Sequence, residues 1–213
     1  MNSKKGAMFG LDARIALAIF GALSVIFGAA LYSAIKDAKV VAIITEMDNI
    51  DKAVTSYMLD TGSYIPLTTH SEDYKQRGFL KARELLESSA IDWKGPYITI
   101  EENGSNDYRI DIATSTGSYW YIYLIRKNDN SNWQNLWIEN ASSKCILSSP
   151  SCSIYICYER LTKEILSGID VKVDGKPDSA DLSKGGSSGN FRYHSDNGCK
   201  KGMIYDKNLT PAS

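Results

Sequence analysis

The sequence predicts an α+β protein, a long N-terminal helix whose second half packs on an antiparallel β-sheet. Three observations carry that expectation. An apolar run near the start passes unbroken into a helically periodic stripe. Strand-like alternation begins only at Asp107, and all four cysteines, Cys145, Cys152, Cys157 and Cys199, fall in the last third of the chain. A chain of 213 residues has room for one membrane element and one globular domain with a real core.

The helix comes first. From Ile15 to Ile35 the chain carries no charge and is almost wholly apolar, about as long as the ~20 residues an α-helix needs to cross a bilayer. Lys4 and Lys5 precede it, which keeps the extreme N-terminus cytoplasmic and sends everything after Lys36 outside. Three readings compete: a cleaved secretory signal, a plain signal anchor, and a leader with a retained helix. The run exceeds the ~7–15 apolar residues of a signal peptide, although Gly28, Ala29 and Ala30 imitate its small-residue cleavage site.

The residues beyond the span favour a retained helix. Val40, Ile43, Ile44, Met47, Ile50, Val54, Tyr57 and Met58 recur at steps of three and four, the signature of one buried helix face. No proline or glycine interrupts Ala29 to Thr61, and Gly62 supplies the stop. Span and stripe thus read as one rod from Leu11 to Asp60, roughly 75 Å long at 1.5 Å per residue. Ala18, Gly21, Ala22, Gly28, Ala29 and Ala30 are small enough to let another helix approach closely.

After the rod, Asp60-Thr61-Gly62-Ser63-Tyr64-Ile65-Pro66 turns into a loop, and Phe79 to Ser89 reads as a short helix. Asp107–Thr114 and Ser118–Arg126 read as a hairpin turning at Ser115-Thr116-Gly117. Tyr119, Tyr121 and Tyr123 alternate with Trp120, Ile122 and Leu124. An aromatic face could stack glycans or single-stranded nucleic acid, but strands select such residues anyway, so packing against the rod is the expectation. Asn128 to Asn135 reads as a loop, Ile154 to Cys157 as a strand, and Glu159 to Ser167 as a helix.

Cysteine spacing does not fit paired zinc knuckles. An even number beyond a membrane segment points to disulfides in an oxidising compartment. Four cysteines allow three pairings, between which sequence does not choose; Cys145 with Cys152 and Cys157 with Cys199 is the pairing expected here. Charge nearly balances, 24 Lys and Arg against 25 Asp and Glu, so nucleic acid is not indicated as a partner. His70 and His194 lie in polar loops, and neither a metalloprotease spacing, a Gly-x-Ser-x-Gly elbow nor a phosphate-binding glycine loop occurs. The reading is non-enzymatic, with no cofactor required. Asp174, Asp178 and Asp181, among Gly and Ser, offer oxygen ligands for calcium, but without the closing Glu of an EF-hand a solvated acidic loop is favoured.

Lys4-Lys5-Gly6-Ala7, then Met8-Phe9-Gly10-Leu11-Asp12 and an apolar run containing Gly21, resembles a type IV prepilin or a type II secretion pseudopilin. In that family a prepilin peptidase cuts after a small residue, the mature chain has an acid at its fifth position, and a glycine is common at its fourteenth. Cleavage between Ala7 and Met8 makes Asp12 fifth and Gly21 fourteenth. The resemblance implies that Asp12 meets the α-ammonium of a neighbouring subunit and so guides assembly. Trp93-Lys94-Gly95-Pro96-Tyr97 after a rod ending in Asp60-Thr61-Gly62-Ser63-Tyr64-Ile65-Pro66 resembles the order seen in major pseudopilins, some of which hold calcium in a C-terminal loop. Ile169-Asp170, Asp174-Gly175 and Gly189-Asn190-Phe191-Arg192 resemble a segment near the C-terminus of many pilin-like proteins.

The chain also departs from the family. Met8 stands where members usually have Phe, often N-methylated; the acid is Asp rather than Glu; Arg14 lies where most are apolar; and Ala29 replaces a common kinking proline. The implied organisation is a leader over 1–7, a transmembrane and assembly helix over 8–35, its amphipathic continuation over 36–62, and an extracytoplasmic pilin head over 63–213. The implied partners are identical copies in a polymer, minor pilins or pseudopilins, the prepilin peptidase, an inner-membrane assembly platform and the membrane itself. The head would be periplasmic before assembly and part of a pseudopilus or cell-surface filament afterwards. The rival expectation is a single-pass anchored binding or adhesion domain that never polymerises. The head's four cysteines and long C-terminal region favour a pilus, the Trp-x-Gly-Pro-Tyr segment a pseudopilus.

Overall fold

The structure, a computed structural model, describes residues 6–99, 106–113, 119–128, 145, 152–176, 186, 188–194 and 197–204. It divides into two compact units, Met1–Val41 and Ala42–Ser213.

Helix α1 runs from Gly6 to Thr61, 56 residues. Its Ala, Leu and Ile content suits a helix, and Ser24, Thr55, Ser56 and Thr61 donate their hydroxyls to the carbonyls four residues back, which satisfies them within the helix. Gly62 ends it with φ of 66° and its N–H on the Met58 carbonyl at 2.9 Å, a left-handed stop that glycine takes without steric cost. In the first unit Ile15, Leu17, Phe20, Val25, Phe27 and Leu31 are exposed. In the second unit Ile43, Met47, Ile50, Ala53, Val54 and Tyr57 are buried, with Ile44 and Met58 half-buried beside them.

That stripe packs on a five-stranded antiparallel sheet: β1 (Arg109–Ala113), β2 (Tyr119–Asn128), β3 (Cys152–Tyr158), β4 (Phe191–His194) and β5 (Asn197–Ile204), in the order β1-β2-β3-β5-β4. Strand β3 is central and every residue of it is buried, as a strand covered on both faces must be. On the α1 side, Glu46 lies beside the Tyr158 hydroxyl, Asp51 accepts the Met203 N–H at 2.9 Å, and the Lys200 ammonium pairs with Asp48. Gly202 lets the Asp51 carboxylate come close, since a Cβ there would make that carboxylate turn aside.

The opposite face is aromatic. Phe79, Tyr108, Tyr123, Ile125 and Tyr155 form one buried cluster with Tyr74 against it, and Tyr108 and Tyr123 stack at 5.9 Å. Tyr123 pairs with Cys157 while Ile122 pairs with Tyr158, so Ile122 shares the α1 face and Tyr123 does not. The expectation that the tyrosine face packs against the rod is therefore corrected at Tyr123: it packs under the segment carrying Tyr74 and Phe79. The side chains of residues 119–121 are outside the described residues, as are the expected hairpin turn and the polar loop beyond Asn128.

Two short helices differ from expectation. The helix expected over Phe79–Ser89 is replaced by α2, Glu72–Arg77, and a 3-10 turn at Ala82–Leu85. Ser71 caps α2 by accepting the Tyr74 N–H, and Gly78 stops it at φ of 87°, after which Phe79 bridges to Ile125 and Leu80 to Leu67. The helix expected over Glu159–Ser167 is α3, Lys163–Asp174, because Thr162 caps it and Gly175, at φ of 82°, ends it.

The disulfides are Cys157–Cys199 and Cys145–Cys152. The first joins residues directly opposite on β3 and β5, with Cα atoms 4.0 Å apart. It closes a sequence separation of 42, the second one of 7; in the chain-entropy account the first contributes about 4 kcal/mol and the second about 2.5 kcal/mol.

Candidate assembly surface

Among the described residues, most of the exposed large apolar side chains lie on the first half of α1. This is the one helix among the described residues long and apolar enough to cross a membrane. Asp12 and Arg14 are its only charges before Lys36, and both are exposed. Nothing lies within 4 Å of where a Cβ would sit on Gly10, Gly21 or Gly28, so this surface is open to a close neighbour. Ala7 and Met8 stand in the first turn of α1, but their side chains lie outside the described residues, and Lys4 and Lys5 precede them entirely.

At the other end of α1 the Trp93–Tyr97 segment clasps the rod. The Tyr97 hydroxyl donates to Asp60 Oδ2 at 2.9 Å, the Lys94 ammonium lies 3.4 Å from Asp60 Oδ1, and the Trp93 indole N–H donates to the Glu84 carbonyl at 3.0 Å. Tyr97 also meets Tyr57 edge-on at 6.1 Å. A side chain on Gly95 would strike the Trp93 ring. Lys94 and Tyr97 thus have a structural task at the rod's end, and their partner is Asp60, whose place in the sequence suggests only a turn residue.

The calcium candidates divide. Asp174 is placed at the end of α3, where its two carboxylate oxygens accept the N–H groups of Asn190 and Phe191 at 2.9 and 2.8 Å. It pins the Gly189-Asn190-Phe191 turn that leads into β4, and Gly189, at φ of 76°, has no room for a Cβ beside that carboxylate. Asp178 and Asp181 lie outside the described residues. Among the described residues no group of three His, Cys, Asp or Glu could hold a metal.

His70 is exposed and edges against Tyr74 and Tyr108 at 5.4 and 5.0 Å; His194 is half-buried at the end of β4. On the face away from α1, Lys127 is buried, and burial, with Arg192 and Arg77 nearby, pushes its pKa down to about 8. Arg192 lies over the Tyr155 ring at 5.6 Å, a cation–π contact that suits a desolvated guanidinium.

The class that this fold defines is a protein with one N-terminal helix able to cross a membrane and a disulfide-bonded α+β head. No family model, curated protein or solved structure matches the chain.

Proposed function

We propose that this chain is a structural subunit of a type IV pilus or a type II secretion pseudopilus, held in the inner membrane by α1 before it is polymerised. The observation that carries the reading is the single helix with two environments: an exposed apolar half bearing Asp12, continuous with a half buried on the chain's own sheet. Such a helix can leave lipid for a bundle of identical helices while the head stays folded. The resemblance around Ala7, Met8, Asp12 and Gly21 supports the same reading and adds processing by a prepilin peptidase.

In this reading the protein is not an enzyme and requires no cofactor, and its partners are copies of itself, minor subunits and the assembly platform. A specific acid near the membrane end of each helix is costly in hydrocarbon until a cation meets it, which gives assembly a reward that lipid alone does not offer. The test is the N-terminal mass of the protein purified from cells. A chain beginning at Met8 is expected; one beginning near Leu31 would mean a secreted protein, and an uncut chain would favour the non-polymerising anchored domain.

A further inference from the structure

The two disulfides stand in unlike places. Cys157 and Cys199 lie in mid-sheet: Cys157 pairs with Tyr123 of β2 and with Cys199 of β5, and Cys199 also pairs with Arg192 of β4. They are 1% and 0% exposed and are packed with Phe79, Tyr108, Tyr123, Ile125 and Tyr155. Cys152 is the first residue of β3 and stands opposite Asn128, the last of β2, so it closes the end of that ladder. Its partner Cys145 belongs to no strand and is only half-buried. To break a disulfide, a thiolate must reach one of its sulfurs from outside, so access governs the rate. At Cys157–Cys199 this requires the aromatic cluster to open, which costs a large part of the head's stability. Cys145 is partly open already. The bonds also differ in span, 7 residues against 42, so opening the shorter one returns less freedom to the unfolded chain.

We propose that Cys145–Cys152 is an exchangeable disulfide, opened and re-formed by a dithiol partner, while Cys157–Cys199 is the lock that keeps the head folded. The inference concerns the head alone and stands whether or not the chain polymerises. A thiolate of the partner attacks Cys145 Sγ, forms a mixed disulfide and expels the Cys152 thiolate, which takes up a proton. The partner's second thiolate then attacks its own bridged sulfur and expels the Cys145 thiolate, which is protonated in turn. Two electrons pass to this chain and the partner leaves as a disulfide; the reverse sequence re-forms the bond. A partner with a Cys-x-x-Cys pair suits the step, because its first thiol is readily ionised near neutral pH. Seven paired positions, Ile122 to Asn128 against Tyr158 to Cys152, continue to join β2 to β3. Reduction therefore unties Cys145 from the end of the sheet and leaves the sheet in place.

The test is titration of the full-length chain in detergent with dithiothreitol, each step quenched with iodoacetamide and mapped by peptide mass, beside the near-ultraviolet signal of the head. Cys145 and Cys152 should be labelled about tenfold or more faster than Cys157 and Cys199, with the near-ultraviolet signal kept. Replacing the reductant with oxidised glutathione at that stage should restore Cys145–Cys152. The paired substitution Cys145→Ser with Cys152→Ser should leave a cooperative melt, its Tm lower by about 10 °C or less. All four cysteines labelled together, or Cys157 and Cys199 first, overturns the proposal. So does loss of the near-ultraviolet signal, or of the paired variant's cooperative melt, when only this bond is gone. Failure of the bond to re-form under glutathione would equally rule out an exchangeable site.

Discussion

Between Asp12 and Ile35 helix α1 leaves Leu17, Phe20, Ile26 and Phe27 exposed, whereas between Ile43 and Tyr57 the same helix buries Met47, Ile50 and Val54. The backbone is alike in both halves; the sequence around it is not. The first half has no polar face to offer water, and its large apolar side chains are exposed. The second half sets Asn49, Lys52 and Ser56 on its exposed side, and its own sheet covers the rest. Burial in the second half stabilises the head, while in the proposed assembly the first half would be covered by lipid or by neighbouring copies.

Cutting the chain between the two units should have the largest effect. A head beginning at Ala42 loses the buried Val40 but retains the stripe from Ile43 to Tyr57, the sheet and both disulfides, so it is expected to be soluble without detergent and to unfold in one cooperative transition. The full chain should partition wholly into membranes. A truncated head that aggregates, or that melts without cooperativity, would show that the first half of α1 contributes to the head's core after all.

Matched truncations of single side chains sharpen the contrast. Met47 is 0% exposed and Val25 is 72% exposed. Met47→Ala should cost the head about 2–5 kcal/mol, the range for emptying a packed core site. Val25→Ala should move it by less than about 0.5 kcal/mol. Denaturant unfolding in detergent, followed by the near-ultraviolet signal of the head's tyrosines, separates the two. Equal losses would mean that the halves are not energetically distinct.

Much of this was legible in the sequence where a pattern is long. The rod and its stop at Gly62, the apolar stripe and the β1–β2 pairing follow from periodicity over many residues. Helix α2 did not, because six residues complete fewer than two turns and its signal is the pair of caps Ser71 and Gly78. The start of α3 was displaced because Glu159 resembles a helix opener, whereas Thr162 is the residue that caps it. Alternation revealed that Tyr123 and Ile122 face opposite ways, but not which face α1 covers; that depends on contacts distant in sequence, such as Glu46 with Tyr158. The same holds for the site. Asp12 and Arg14 were visible as isolated charges, yet the tasks of Asp60 and Asp174 rest on Tyr97, Asn190 and Phe191, which only folding brings near.

The smallest effect expected distinguishes the halves by pH. Glu46 is half-buried in the amphipathic half of α1, and burial raises its pKa above the ordinary 4.5, with the Tyr158 hydroxyl lowering it only in part. Asp51 is raised as well, again by burial first, against the Met203 N–H and Lys200, which lower it. A carboxyl whose pKa is higher in the folded state holds its proton more tightly there. Its stabilising contribution is therefore complete below the unfolded-state pKa and is lost as pH rises through the raised value. At neutral pH the ionised Glu46 is thus a small burden on the packing between α1 and the sheet. Glu46→Gln removes the charge while keeping an oxygen that the Tyr158 hydroxyl can use. It should raise the Tm of the head by about 2 °C or less near neutrality, and the difference should vanish once the pH falls below the ordinary carboxyl value. Melts of native and Glu46→Gln heads across that interval provide the check. A Gln variant less stable than the native head at neutral pH would mean that the ionised carboxylate is an asset there, and that a partner rather than burial governs this face of the helix.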